Sequence, residues 1–173
     1  MPNSNRSDMP DQTMNPLEMH RRNWPESYDA QMLPLGLSLV QARAAHHSRA
    51  AAAMAAHGLS PAEFDVLASL RRTPPPHALT PSDIQRSVLI TSGGLTKVLQ
   101  QLEVRGFVSR STYDADRRVK PVALTAQAMP VLDQVMAELH TVVGGWIRQT
   151  LTDAEIKQLT ILLTKLVNTP SSS

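Results

Sequence analysis

TPSDIQRSVLITSGGLTKVLQQLEVRGFVSRSTYDADRRVKPVALT, Thr80 to Thr125, decides the fold. It opens on a helix-start signal, with Thr80 as N-cap, Pro81 in the first helical position and Asp83 completing a capping box. Ile84 and Val88 form the inward face of that short helix. After "LITS" a second helix begins, capped by Thr91 or Ser92. Its apolar residues Leu95, Val98, Leu99 and Leu102 recur by threes and fours, and it runs to Arg105 before stopping at Gly106. Two short helices joined by so tight a turn make a helix-turn-helix, whose second helix usually enters the DNA major groove.

Residues 107–113 and 119–124 read as strands around a charged turn. Pro121 cannot donate to a ladder, so its strand lies at an edge or bonds on one side. A lone two-stranded hairpin is marginal in water, so this one must lean on the helices. A hairpin placed directly behind a helix-turn-helix is a wing. Arg117 and Arg118 at its narrow tip can reach the minor groove, where negative potential is strong, with Asp114 and Asp116 holding their posture.

The second helix suits a groove. Thr91, Ser92, Thr96 and Lys97 lie on the face away from Leu95, Leu99 and Leu102. Small hydroxyls let a helix sit deep, and free N–H groups at its start bind phosphate. Gly93 and Gly94 would each cost about 0.8–1 kcal/mol against alanine inside a helix. Close approach to DNA or to the preceding helix would offset that, and both readings stay open.

Upstream, "SPAE" starts another helix at Ser60, with Glu63 closing a capping box and Phe64, Val66, Leu67 and Leu70 facing inward. "RRTPPPHAL" must be an extended loop, because three prolines cannot continue a helix. From Met32 to His57 a seam of Met32, Leu35, Leu39, Ala42, His46, Arg49 and Ala53 repeats with period 3.5, ending at Gly58. Leu132, Val135, Leu139, Val142 and Trp146 continue the helical pattern after the wing. "TDAE" caps a last helix with the stripe Ile156, Leu159, Leu163 and Leu166. Gly144–Gly145 read as a kink or a close helix crossing.

Bulk properties narrow the class. The 173 residues allow one domain with a real core. Net charge is +2, but residues 61–124 carry nine Lys/Arg against six Asp/Glu, a local surplus that suits a polyanion. With no cysteine there is no disulfide, thiolate zinc site or thiol switch. No apolar run approaches the ~20 residues of a membrane span. The polar N-terminus lacks a signal-peptide core, so a cytoplasmic location away from membranes is expected. His46 and His47 point about 100° apart on a helix and cannot share one ion, so no metal and no cofactor are expected. No catalytic motif appears, and the chain is not expected to be an enzyme.

Taken together, "GLSPAEFDVLASL", "LTPSDI", "TSGGLTKVLQQLEVRGFVSR" and "DADRRVKPVALT" resemble the MarR-type winged-helix transcriptional regulators over about Gly58 to Thr125. The most specific piece is the wing pattern D-x-D-R-R followed by L-T. The resemblance implies a mostly α fold with a small β-hairpin wing. Its winged helix-turn-helix domain is flanked by long N- and C-terminal dimerisation helices. It implies a homodimer on a pseudo-palindromic double-stranded DNA operator, released by a small, often aromatic, effector. By position, DNA contacts fall on Thr80, Ser82, Thr91, Ser92, Gly93, Thr96 and Lys97. The wing contact falls on Arg117, with Arg118 and Arg110 nearby. Gln101 replaces a basic residue common in relatives, and Ala128 replaces a glycine.

Candidate effector residues are Trp24, Arg43, His46 and Asp65. Trp24 and Asp65 resemble a urate-responsive branch, but Val98 stands where that branch has an arginine, which sets urate aside. The expected organisation is a flexible tail over 1–22, an N-terminal dimerisation helix region over 23–57, the winged helix over 58–124, C-terminal dimerisation helices over 125–169 and a flexible tail over 170–173. The function expected is that of a sequence-specific DNA-binding regulator, most simply a repressor. The alternative is a winged-helix protein-interaction module without specific DNA binding.

Overall fold

The capping signals act where the sequence puts them. In the computed structural model, which describes residues 15–88, 90–110 and 121–168, Ser60 starts the helix Pro61–Arg71 (α3) with a complete capping box. The Glu63 carboxylate accepts from the Ser60 amide at 2.9 Å, and the Ser60 hydroxyl accepts from the Glu63 amide at 3.3 Å. Thr152 does the same with Glu155 at the head of the last helix.

Two units make up the chain, Met1–Ala45 and His46–Ser173. The first holds a helix at Pro16–Asn23 (α1), a 3-10 turn at Pro25–Ser27 and the start of a long helix, Met32–Ala55 (α2). The described part of the segment expected as a tail over residues 1–22 is thus helical, with no buried residue in α1. The Asn15 side chain accepts from the Leu17 amide at 3.0 Å, and Pro16 takes the first helical position. Glu18 in the first turn with Arg21 and Arg22 in the last suits the helix dipole. The cap and the dipole pattern specify this helix, although no apolar period announces it.

The second unit carries the core. Phe64, Val66, Leu67 and Leu70 of α3 are buried, as are Ile84 of the helix Pro81–Ser87 (α4) and Val88 just beyond it. Leu95, Val98, Leu99 and Leu102 of the helix Ser92–Val104 (α5) close over them. Every apolar position expected in the three short helices is buried. At about 25 cal/mol per Å² of apolar area, this contiguous cluster is the main favourable term in folding. Gly58 and Gly106 end their helices at φ +69° and +72°, where glycine alone is free of strain.

Behind α5 the expected two-stranded hairpin is instead a three-stranded antiparallel sheet in the order β1-β3-β2. β2 is Val108–Arg110, β3 is Val122–Leu124, and β1 is Ala78–Leu79 at the end of the proline-rich loop. Ala78 pairs with Ala123 and Val108 with Leu124, so β3 is central over its described length. The edge or one-sided placement expected for the Pro121 strand is therefore corrected: β3 is paired on both sides, and Pro121 stands just before its paired residues, where no ladder bond is asked of it. Two strand residues after three prolines show no alternation, which is why β1 escapes a sequence reading. The tip of the wing, with Asp114, Asp116, Arg117 and Arg118, lies outside the described residues.

The C-terminal helices are Ala128–Leu139 (α6), Gly145–Thr150 (α7) and Asp153–Val167 (α8), with a π turn at His140–Gly144 between the first two. The π turn admits an extra residue and shifts the register. Val143 is therefore buried where the unbroken period placed Val142. Gly144–Gly145 mark the end of that turn. α8 buries nothing: Leu159, Leu163 and Leu166 are 44%, 38% and 57% exposed. The seam on α2 likewise buries only its last turns, at Ala50, Ala53 and Met54. Among the described residues no helix is long and apolar enough to cross a membrane, and no group of three or more His, Asp or Glu is placed to hold a metal ion.

Candidate nucleic-acid interface

Thr80 caps α4 by accepting from the Asp83 amide at 3.2 Å, and its hydroxyl donates to the Asp83 carboxylate at 2.7 Å. That carboxylate also holds Arg86. The Thr80 hydroxyl first and the Arg86 guanidinium next keep Asp83 below the usual carboxylate range. Thr91, rather than Ser92, caps α5, accepting from the Gly94 amide at 3.2 Å. This leaves the Ser92 hydroxyl on an exposed first turn.

A groove runs between α4 and α5, with Leu95 and Leu99 in its floor and Ser82, Gln85, Arg86, Ser92 and Thr96 on its walls. Ser82, Ser92 and Thr96, three of the DNA-contact positions that the resemblance implies, thus line one groove. Gln85 and Arg86 are additions. The Gln85 side-chain amide donates to the Ile90 carbonyl and ties the turn to α4, while its Oε1 is buried without a partner among the described residues. Nothing in the local pattern singles out Gln85, because its role depends on the turn folding back.

The two glycines differ in their surroundings. A Cβ on Gly94 would stand 2.9 Å from the Ile90 side chain and 3.1 Å from the Thr91 hydroxyl, so its smallness serves packing against the turn. A Cβ on Gly93 would meet nothing within 4 Å. Gly93 therefore faces outward with Thr96, Lys97 and Gln100, all exposed.

The flanking cations are engaged. Arg110 at the end of β2 pairs with Glu103 at 3.2 Å. Arg105 pairs with Glu63 at 2.7 Å and lies over the Phe107 ring, 4.6 Å from its centroid. Burial works to raise the Glu63 carboxyl, but the Ser60 amide, the Ser60 hydroxyl and Arg105 outweigh it and hold the group below its ordinary value. One carboxylate thus joins the first turn of α3 to the end of α5. The partners are far apart in sequence, so only the folded chain reveals the link.

These features match a known family. Residues 57–119 fit the model of the MarR family. The regulator PecS of Dickeya dadantii is 38% identical over 80 residues, 46% of this chain and 48% of PecS, so the chain spans about half that protein's length. An HTH-type transcriptional regulator of Bacillus cereus is 31% identical over 108 residues, 62% of this chain and 69% of that protein. The chain belongs to the MarR family. Among solved structures, a mutant MarR of Escherichia coli complexed with operator DNA aligns with a TM-score of 0.64 at 26% identity, over 80% of this chain and 99% of that one. The fold is accordingly the MarR winged helix, and its relatives are transcriptional regulators rather than enzymes.

The candidate effector residues are spread over both units. In the first, Trp24 is 57% exposed and stacks on His20 with ring centroids 5.2 Å apart, and Arg43 is exposed on α2. In the second, His46 is exposed rather than buried on its seam. Asp65 faces outward from α3; burial raises its carboxyl above the ordinary value, against Arg72 and then His47. A separate hollow lies between α3 and α6, floored by Phe64, Ala68, Leu132 and Met136, with Arg71, Arg72 and Asp133 at its edge. None of the four candidates lines it.

Proposed function

We propose that this MarR-family chain works as a homodimer that binds a pseudo-palindromic DNA operator in a sequence-specific way, represses transcription there, and lets go when a small effector binds. The observation that carries the reading is the outer face of α5. It is polar and exposed, offers Lys97 without an ion-pair partner among the described residues, and begins at a glycine that adds no bulk. Its hydroxyls and the first-turn N–H groups suit phosphate, and its longer side chains suit base edges.

The exposed apolar stripe of α8 and the open seam of α2 are the surfaces we assign to the second copy. Burying a leucine there contributes about 1.5–3 kcal/mol per side chain. A pair of recognition helices must sit about 34–36 Å apart to enter successive major grooves. An effector that alters that spacing weakens both half-sites together, with a coupling of about 1–3 kcal/mol. We place the effector in the hollow between α3 and α6, where an apolar floor meets two arginines and can seat one small ring. The wing arginines Arg117 and Arg118 complete the contact in the adjacent minor groove.

The test is the salt dependence of binding to labelled duplex DNA. Release of condensed counterions makes log affinity fall steeply and linearly with log salt. A shallow dependence, with tight binding to a protein partner instead, would replace this reading with the interaction-module alternative.

A further inference from the structure

Gly93, Lys97, Gln100 and Val104 follow one another on α5 by four, three and four residues, which stacks them along one stripe of the helix. The stripe lies opposite Leu95, Val98, Leu99 and Leu102, and all four of its positions are exposed. It is open from end to end: Gly93 has room around it, and Val104 is 89% exposed. The arginines beside it are held elsewhere, Arg105 on Glu63 and Arg110 on Glu103. Lys97 and Gln100 are therefore the long polar side chains this stripe can offer.

Their chemistry differs. Lys97 carries donors only and suits a phosphate or a guanine edge. The Gln100 amide holds a donor and an acceptor side by side, which matches the N7 acceptor and N6 donor of adenine in the major groove. Gly93, two helical turns earlier, lets the start of the helix sit deep and carries Gln100 down to the base edges. Resting on the DNA-binding reading above, we propose that Gln100 is a base-reading residue that selects adenine at one position of each half-site.

The experiment enriches bound duplexes from a random pool with the unmodified dimer, Gln100→Ala and Gln100→Lys, and counts bases at each enriched position. Gln100 is exposed, so the substitutions leave folding intact, which circular dichroism checks. The unmodified protein should enrich adenine at a symmetric pair of positions. Gln100→Ala should lower that preference about tenfold while keeping the rest of the motif. Gln100→Lys should move it toward guanine. Adenine retained in both variants, or a uniform weakening with the same base choice, would overturn the assignment to Gln100. If the unmodified protein enriches no sequence, the DNA-binding reading itself fails, and the two failures are distinct.

Discussion

Helices α5 and α8 are both amphipathic, yet they finish in opposite ways. α5 buries its apolar face within its own unit, at Leu95, Val98, Leu99 and Leu102, and turns a polar face outward. α8 buries nothing and leaves Leu159, Ile161, Leu162, Leu163 and Leu166 open. The first has settled its hydrophobic demand and is free to meet a polyanion. The second has not, and the dimer proposed above would cover its row of exposed leucines. On the reading proposed above, the same 3.6-residue period serves two different interfaces, and burial tells them apart.

Truncating one leucine on each helix should give the largest effects, of two different kinds. Leu102→Ala, fully buried, should lower the unfolding free energy by about 2–5 kcal/mol in a denaturant titration. Leu163→Ala should instead weaken dimerisation, read as a concentration-dependent mass in sedimentation equilibrium. Equal losses of stability that do not depend on concentration would remove the distinction.

Glu63→Gln comes next, because it severs the link from α3 to α5. The pair is partly exposed, so the loss should be about 1–2 kcal/mol. The sign of the pH effect follows from the lowered carboxyl. Its stabilisation is full above the ordinary value of 4.5 and is lost as pH falls through the lower folded value. The variant should therefore show a flatter loss of stability below about pH 4.5. Asp65, raised by burial, works the other way: its contribution is present below 3.8 and disappears as pH rises through its folded value.

Capping gives a smaller and more selective effect. Thr91→Ala and Thr152→Ala should each cost about 1 kcal/mol of stability, since each removes the acceptor for a first-turn amide. The former alone should also weaken DNA binding in an anisotropy titration, because it loosens the start of α5. Arg117→Ala should leave stability unchanged and lower operator affinity in a mobility shift without dissociating the dimer. An unchanged shift at moderate salt would remove the wing from the interface.

Much of this architecture is legible in the chain because it is local. The caps at Ser60, Thr80, Thr91 and Thr152, the stops at Gly58 and Gly106, and the buried faces of α3, α4 and α5 all follow from spacing within a dozen residues. What escapes depends on distant partners. β1 exists because β3 lies beside it, and Arg105 matters because Glu63, 42 positions earlier, reaches it. The π turn at His140–Gly144 moves Val143 into the core, a shift that a regular period cannot express. At the candidate interface, the hydroxyls and Lys97 are readable from the exposed face of α5. The separate roles of Gly93 and Gly94 are not, because they depend on how the Ile90 side chain folds back over the helix start.

The decisive measurement is the native mass of the complex formed with an enriched duplex at near-physiological salt. Two chains on one duplex, falling to no complex when the α8 leucines are replaced by aspartates, is the result expected if one helix faces the polyanion and the other a second copy. A single chain bound to the duplex, or a full complex that survives those replacements, would contradict it.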